Sequence, residues 1–212
     1  WRSTTDHLTI SEKTMHQVTR SMTFLSVLAV AGSLWAPLAE PLAAQSTPDG
    51  FKAEIQMQFE GSARKAVMLA EAMPAEKYGW SPGEGVASIA RVYMHIARYN
   101  YMYLEQSMGI TSPMGADAYS SWEDDVTARF QSKTASAEDK EWIVGVLSAS
   151  MDHVRDHLEP MSDSDLAAST RQYGRQVQKW SVMLQLVAHM NEHLGQSIAY
   201  ARMNDVVPPW SR

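Results

Sequence analysis

Residues 175–204 read RQVQKWSVMLQLVAHMNEHLGQSIAYARMN. The run holds no proline and one glycine, and most of its positions are filled by Leu, Met, Ala, Gln, Lys and Arg, residues that lose little freedom in a helix. Trp180, Leu184, Val187, Leu194 and Ile198 recur at three-and-four spacing, so a helix over 175–204 would carry an apolar stripe along one side. At a rise of roughly 1.5 Å per residue it would be about 45 Å long. A single helix of that length cannot cover its own stripe, and the chain must supply others beside it.

The preceding sequence supplies them. A first helix is expected over 50–73, with Phe51, Ile55, Phe59, Ala63, Ala66, Val67 and Ala70 in helical register, stopped by Pro74. Residues 74–85, with Tyr78, Trp80 and Pro82, read as a loop whose aromatic rings tuck against the bundle. A second helix follows over 86–108, with Ile89, Tyr93, Ile96 and Asn100 facing inward. Residues 109–121 read as a long crossover and 122–132 as a short helix. Capping residues within 134–139 open a third long helix that ends near Glu159 or Pro160, and a single helical turn is expected over 164–168. The expected fold class is all-α, a four-helix bundle with one long crossover connection.

The N-terminal portion has a different character. Residues 1–21 are polar and lack a sustained apolar period, which reads as an upstream or disordered leader. Arg20 then flanks an apolar stretch over 24–35, too short to span a bilayer comfortably, followed by Pro37, Pro41, Ala43 and Ala44. Residues 22–45 therefore read as a signal peptide. The expected domain is 46–212, exported to a periplasmic or secreted location, with no membrane association after cleavage.

Composition narrows the chemistry. The net charge of -6 and the absence of any Lys or Arg run longer than a pair give no field for phosphate backbones, so nucleic acid is not an expected partner. With no cysteine, disulfides, thiolate metal sites and a catalytic thiol are excluded. A transition metal would have to sit on histidine, carboxylate and water.

The seven histidines include two pairs at HxxxH spacing. Residues four apart project from adjacent turns of one helix face, so either pair could share an ion. His189 and His193 lie off the apolar stripe, beside Val182, Leu186 and Tyr200, as the wall of an interhelical cleft would. His153 and His157 sit among Asp152, Arg155, Asp156 and Glu159, which reads as a charged, solvated face. Isolated histidines in helices commonly serve as packing residues, and nothing local to His95 distinguishes it. Methionines near these positions, Met94, Met102, Met183 and Met190, read as core filling.

Two longer motifs add to this. The run His189-Met190-Asn191-Glu192-His193-Leu194-Gly195-Gln196, followed by Tyr200, Arg202 and Val206-Val207-Pro208-Pro209-Trp210, resembles the C-terminal signature of the DinB-like family. Trp80-Ser81-Pro82-Gly83-Glu84, leading into Ser88 to Ala97, is similar to that family's loop and metal-histidine helix. The likeness covers about 50–210. It implies a four-helix bundle with a long crossover, a metal ion held by His95, His189 and His193, and frequent homodimerisation; imidazole nitrogens suit a divalent ion, zinc or nickel being expected. Some relatives have a carboxylate where His189 stands. Three neutral ligands would leave the charge of the ion undiminished. The chain departs from the pattern at Asp205, where a glycine is common, and in its expected export, which disfavours transfer of cytosolic thiols.

Two functions follow as expectations. One is a metal-dependent hydrolase or thiol-type transferase acting on a small-molecule substrate, with Glu192 or Tyr99 as possible proton-transfer groups, Glu192 being poorly aimed because it lies about a quarter-turn from His193. The other is a non-catalytic metal- or ligand-binding bundle.

Overall fold

The computed structural model of the chain describes residues 50–115, 118–131 and 133–211. The leader expected at 1–21 and the signal peptide expected at 22–45 lie outside the described residues. In chain order the elements are α1 (Phe51–Ala72), α2 (Ile89–Met108), the short α3 (Trp122–Gln131), α4 (Ala137–Leu158), the single-turn α5 (Asp163–Ala167), strands β1 (Ser169–Gln172) and β2 (Arg175–Gln178), and α6 (Lys179–Met203). Among the described residues no helix is long and apolar enough to cross a membrane.

Local chemistry sets most boundaries. The Ser88 hydroxyl accepts the Arg91 amide at 3.3 Å, so α2 begins at Ile89 rather than at 86. Gly109 ends α2 in the left-handed region at φ 73°, and its amide and that of Ile110 satisfy the carbonyls of Glu105 and Leu104. A capping box opens α4: Ser136 Oγ accepts the Asp139 amide, and Asp139 Oδ2 accepts the Ser136 amide at 2.9 Å. Asp139 also pairs with Lys133 at 2.8 Å and Arg129 at 2.5 Å, tying the end of α3 to the start of α4.

The four long helices pack as a ring in which α1 adjoins α4 and α6, and α2 adjoins the same two. Side-chain contacts give the directions. Lys52 reaches the Glu159 carbonyl and Lys140 the Glu71 carbonyl, so α1 and α4 are antiparallel. Ser62 meets Asn191 and Phe51 meets Trp180, so α1 and α6 are parallel. His95 meets His193 while Tyr103 meets His189, so α2 and α6 are antiparallel. It follows that α2 and α4, adjacent in space, run the same way. Parallel neighbours cannot be joined by a tight turn, and the chain must travel back along the bundle between them. Residues 109–136 do this, and α3 forms on the return and packs on α2.

Phe59, Leu69, Tyr93, Ile96, Leu104 and Ile143 are among the fully buried side chains at the centre. The loop after α1 tucks in as its aromatic residues suggest. Tyr78 is fully buried and donates to the Ala70 carbonyl at 2.7 Å, and Trp80 packs edge-on against Tyr200.

Two expectations about α6 need correction. The helix starts at Lys179, not Arg175, because 175–178 pair with 169–172 as an antiparallel hairpin. Its two-residue turn, Tyr173-Gly174, has positive φ at both positions, the geometry of a type I′ turn. Tyr173 is held there by donating its hydroxyl to that of Tyr103 at 2.9 Å, while Thr170 donates to the Ser107 carbonyl. The buried face of α6 also differs from the expected stripe. Leu184 is exposed, whereas Val182, Met183, Leu186, Met190, Ser197 and Ala201 are buried. Because α6 packs against both α1 and α2, its buried face is broad, and small or polar residues such as Ser197 fit where the helices come close.

Candidate metal centre

The antiparallel packing of α2 on α6 brings His95 opposite His189 and His193. Ring centroids are 4.9 Å apart for His95 and His189, 4.5 Å for His95 and His193, and 4.6 Å for His189 and His193. One nitrogen from each ring lies within 4.8 Å of the others, and Nε2 of His95 is 3.0 Å from Nε2 of His189. All three side chains are partly buried. Among the described residues this is the one cluster of three or more His, Asp or Glu with such geometry.

Outward contacts fix the tautomers of two rings. His95 Nδ1 lies 2.9 Å from Glu123 Oε1, and His193 Nδ1 lies 2.9 Å from Gln196 Oε1. Oxygens at both places call for N–H donors, so in its neutral form each ring turns an Nε2 lone pair toward the other histidines. A single Nε2–H on His189 could serve only one of the two lone pairs, whereas a cation between the rings would serve all three nitrogens at once. Tetrahedral ligands at about 2.05 Å from zinc would stand about 3.3 Å apart, near the shortest separation found here. The donor set therefore fits a divalent ion, with His95, His189 and His193 as the groups that would hold it.

Electrostatics agree with this. Burial, and then repulsion from His193 and His95, pushes the His189 pKa down to about 3, so its ring is neutral at physiological pH. Burial also lowers His193, against the opposing pull of Gln196. Both shifts favour the unprotonated form that a metal needs. Tyr99 packs on both His95 and His189 with centroids 4.4 Å away, closing that side.

Glu123 is the residue that sequence reasoning missed. It stands in the first turn of α3, is 8% exposed, and accepts from His95 and, at 2.8 Å, from Arg98 Nη1, while Arg91 Nε lies 3.4 Å from its other oxygen. Burial would raise its pKa, but the hydrogen bonds from His95 and Arg98 outweigh that and hold it down to about 2. No local signal marks Glu123 in the sequence, because its function depends on the path of the crossover. Gln196 had a signal: it follows His193 by three positions on one helix face. Glu192 is exposed and lies outside the cluster.

The centre opens on a cleft of about 260 Å³ lined by residues that include Arg91, His95, Glu123, His193 and Gln196. A larger, apolar cleft of about 480 Å³ between Tyr101, Trp122 and Trp142 contains none of the three histidines.

The second pair differs from its expected setting. His153 is buried rather than solvated and stacks on Tyr101 at 4.9 Å, with no hydrogen-bond partner for its Nε2. His157 Nδ1–H donates to the His153 carbonyl at 2.8 Å. Asp152 and Asp156 do lie outward, but His153 is a further 100° or so around the helix from Asp152, and that rotation carries it into the α2 contact.

No curated protein matches the chain. Among solved structures it is similar to the conserved protein of locus from Enterococcus faecalis, at 13% identity and TM-score 0.57, covering 73% of this chain and 96% of that one. It is also similar to a DinB-like protein from Bacillus cereus, at 13% identity and TM-score 0.50, covering 77% and 98%. These likenesses speak to the fold. The DinB superfamily profile matches residues 58–197, from the first turns of α1 to near the end of α6, and the chain belongs to the DinB superfamily.

Proposed function

We propose that this protein is an exported metal-dependent hydrolase or transferase built on a three-histidine divalent site, with zinc or nickel as the ion. The observation that carries the reading is the convergence of the three rings, with the outward Nδ1 contacts to Glu123 and Gln196 leaving Nε2 of neutral His95 and His193 available to an ion. Three protein ligands on one side leave a position open for a small molecule. When bound, such an ion acts as a Lewis acid and makes a water or thiol more acidic. The chain's own residues orient the ligands and screen the site. Glu123 and Gln196 lock the rings of His95 and His193, Arg98 keeps Glu123 ionised, and Tyr99 excludes water from the inner side. Export rests on the signal-peptide pattern of 22–45, and a homodimer is carried over from the family resemblance.

A non-catalytic metal-binding bundle is the second reading, and one observation favours it. Both Glu123 oxygens are engaged and Glu192 is exposed, so among the described residues no carboxylate at the centre is free to accept a proton. Elemental analysis of protein purified without a histidine tag tests the metal itself. One equivalent of zinc or nickel per chain is expected, and a chain that stays empty after reconstitution would overturn both readings. A hydrolase and thiol-transfer screen of the loaded protein then separates them.

A further inference from the structure

The cleft above His95 and His193 has a charge balance that the histidines do not explain. Arg91 precedes His95 by one turn of α2, and its side chain lines the same cleft. Only its Nε is engaged, at a long 3.4 Å from Glu123, and the side chain is 39% exposed. Nη1 and Nη2 of Arg91 meet no protein acceptor within hydrogen-bond distance among the described residues. Arg98 makes the closer contact with Glu123, at 2.8 Å. One carboxylate thus faces two guanidinium groups, which leaves a net positive charge before any ion is counted. Gly85, Ala87, Val92 and Gln196 add no acid to the lining. Glu192, the next carboxylate to act on His193, is exposed and does not line the cleft. A chain of net charge -6 therefore places a local excess of positive charge at this mouth.

We infer that the ligand of this site is a small molecule bearing an anionic group, carboxylate or phosphate, which the free Nη pair of Arg91 grips while a donor atom of the same molecule lies over His95 and His193. The inference rests on the three-histidine reading and names its substrate class. A guanidinium fork matches two oxygens of a carboxylate or phosphate, which a lysine in its place would not. Residues one turn apart have Cβ atoms about 5–6 Å apart, so the anionic group and the donor atom are separated by only a few bonds. At about 260 Å³ the cleft lies at the small end for ligand sites, suiting a ligand of few heavy atoms.

The test uses the full chain loaded with Co(II), whose visible spectrum reports a sulfur donor directly. The probes are 3-mercaptopropionate and 2-mercaptoethanol, which offer the same thiol on a similar arm and differ in carrying a charge. The charged thiol is expected to bind roughly tenfold more tightly to the wild type. R91Q should erase that preference with cobalt content unchanged, and R91K should keep part of it. Added sodium chloride should shrink the preference in the wild type, a result that needs no variant to fold. Equal affinities for the two thiols, or a preference that survives R91Q, overturn the inference while the metal site stands. A wild-type chain that takes up no cobalt strikes the three-histidine reading, and the inference falls with it.

Discussion

His189 and His193 on α6 and His153 and His157 on α4 share one sequence spacing and nearly one geometry, with centroids 4.6 Å and 4.5 Å apart. They differ in what their nitrogens meet. The α6 pair faces a third imidazole across the bundle, and outward acceptors anchor the rings that flank the site, Glu123 for His95 and Gln196 for His193. In the α4 pair, one ring nitrogen of His157 is used on the helix's own backbone, and His153 Nε2 is buried against apolar and aromatic side chains without a partner. Spacing along one helix makes two imidazoles available. A second helix decides whether they become a site.

The largest expected effect separates the pairs directly. Replacing His189 and His193 by alanine should abolish stoichiometric metal, because one imidazole holds a divalent ion weakly against water. Alanine at His153 and His157 should leave metal content unchanged by elemental analysis, and equal loss from both double variants would erase the distinction. Thermal melts give a cross-check. The first variant should lose the stabilisation that added metal confers on the wild type, and should match the wild type in chelator.

Next in size is Glu123. E123Q keeps the shape of the side chain but lets its amide nitrogen turn toward His95, and outer partners of this kind are worth roughly 10–100-fold in metal affinity. A fall in that range is expected by competition with a chromophoric chelator, and unchanged affinity would show that Glu123 serves folding alone. A smaller effect concerns stability away from the centre. Burial opposes the Asp139 charge, but hydrogen bonds from Lys133 and Ser136 and the nearby Arg129 hold its pKa well below the usual carboxylate range. A carboxylate with a depressed folded pKa stabilises the fold above its unfolded pKa of about 3.9, and the effect is lost as pH falls through the folded value. D139N should therefore cost about 1–2 kcal/mol in urea melts at pH 7, with the gap narrowing as pH falls below about 3.9. A gap independent of pH would mean that packing, not charge, is at work.

The smallest effect returns to the α4 pair. Burial lowers the His153 pKa, so in acid the unfolded chain gains a proton that the folded chain refuses. His153 thus favours the fold less as pH falls below about 6.5. H153F should flatten that part of the stability profile in chelator, and an identical slope in variant and wild type would place the proton elsewhere.

The helices, the crossover and the three histidines were legible in the sequence because each depends on local pattern or on a motif. Ile89, Tyr93, Ile96 and Asn100 face inward as their spacing requires. The hairpin was not legible, because Gln and Arg suit helix and strand alike and the Tyr173-Gly174 turn is fixed by Tyr103, seventy positions away. The inward turn of His153 was hidden for a related reason: acidic neighbours describe the sides of a helix, not the side it shares with a partner. Glu123 was hidden most deeply, since neither its neighbours nor its helix carries a mark of the His95 contact.

That contact would tie an ion on the histidines to the docking of α3. Glu123 rides on a ten-residue helix whose main packing partner is α2, and it reaches His95 only while α3 is seated. Thermodynamic reciprocity then requires an ion on the histidines to strengthen the seating of α3 by as much as seated α3 strengthens the hold on the ion. The crossover would thereby also be a latch on metal exchange: ion release should be fastest from molecules in which α3 has briefly lifted, and hydrogen exchange at α3 amides should slow when metal is added. Exchange there that ignores the ion would show that latch and ligand are uncoupled.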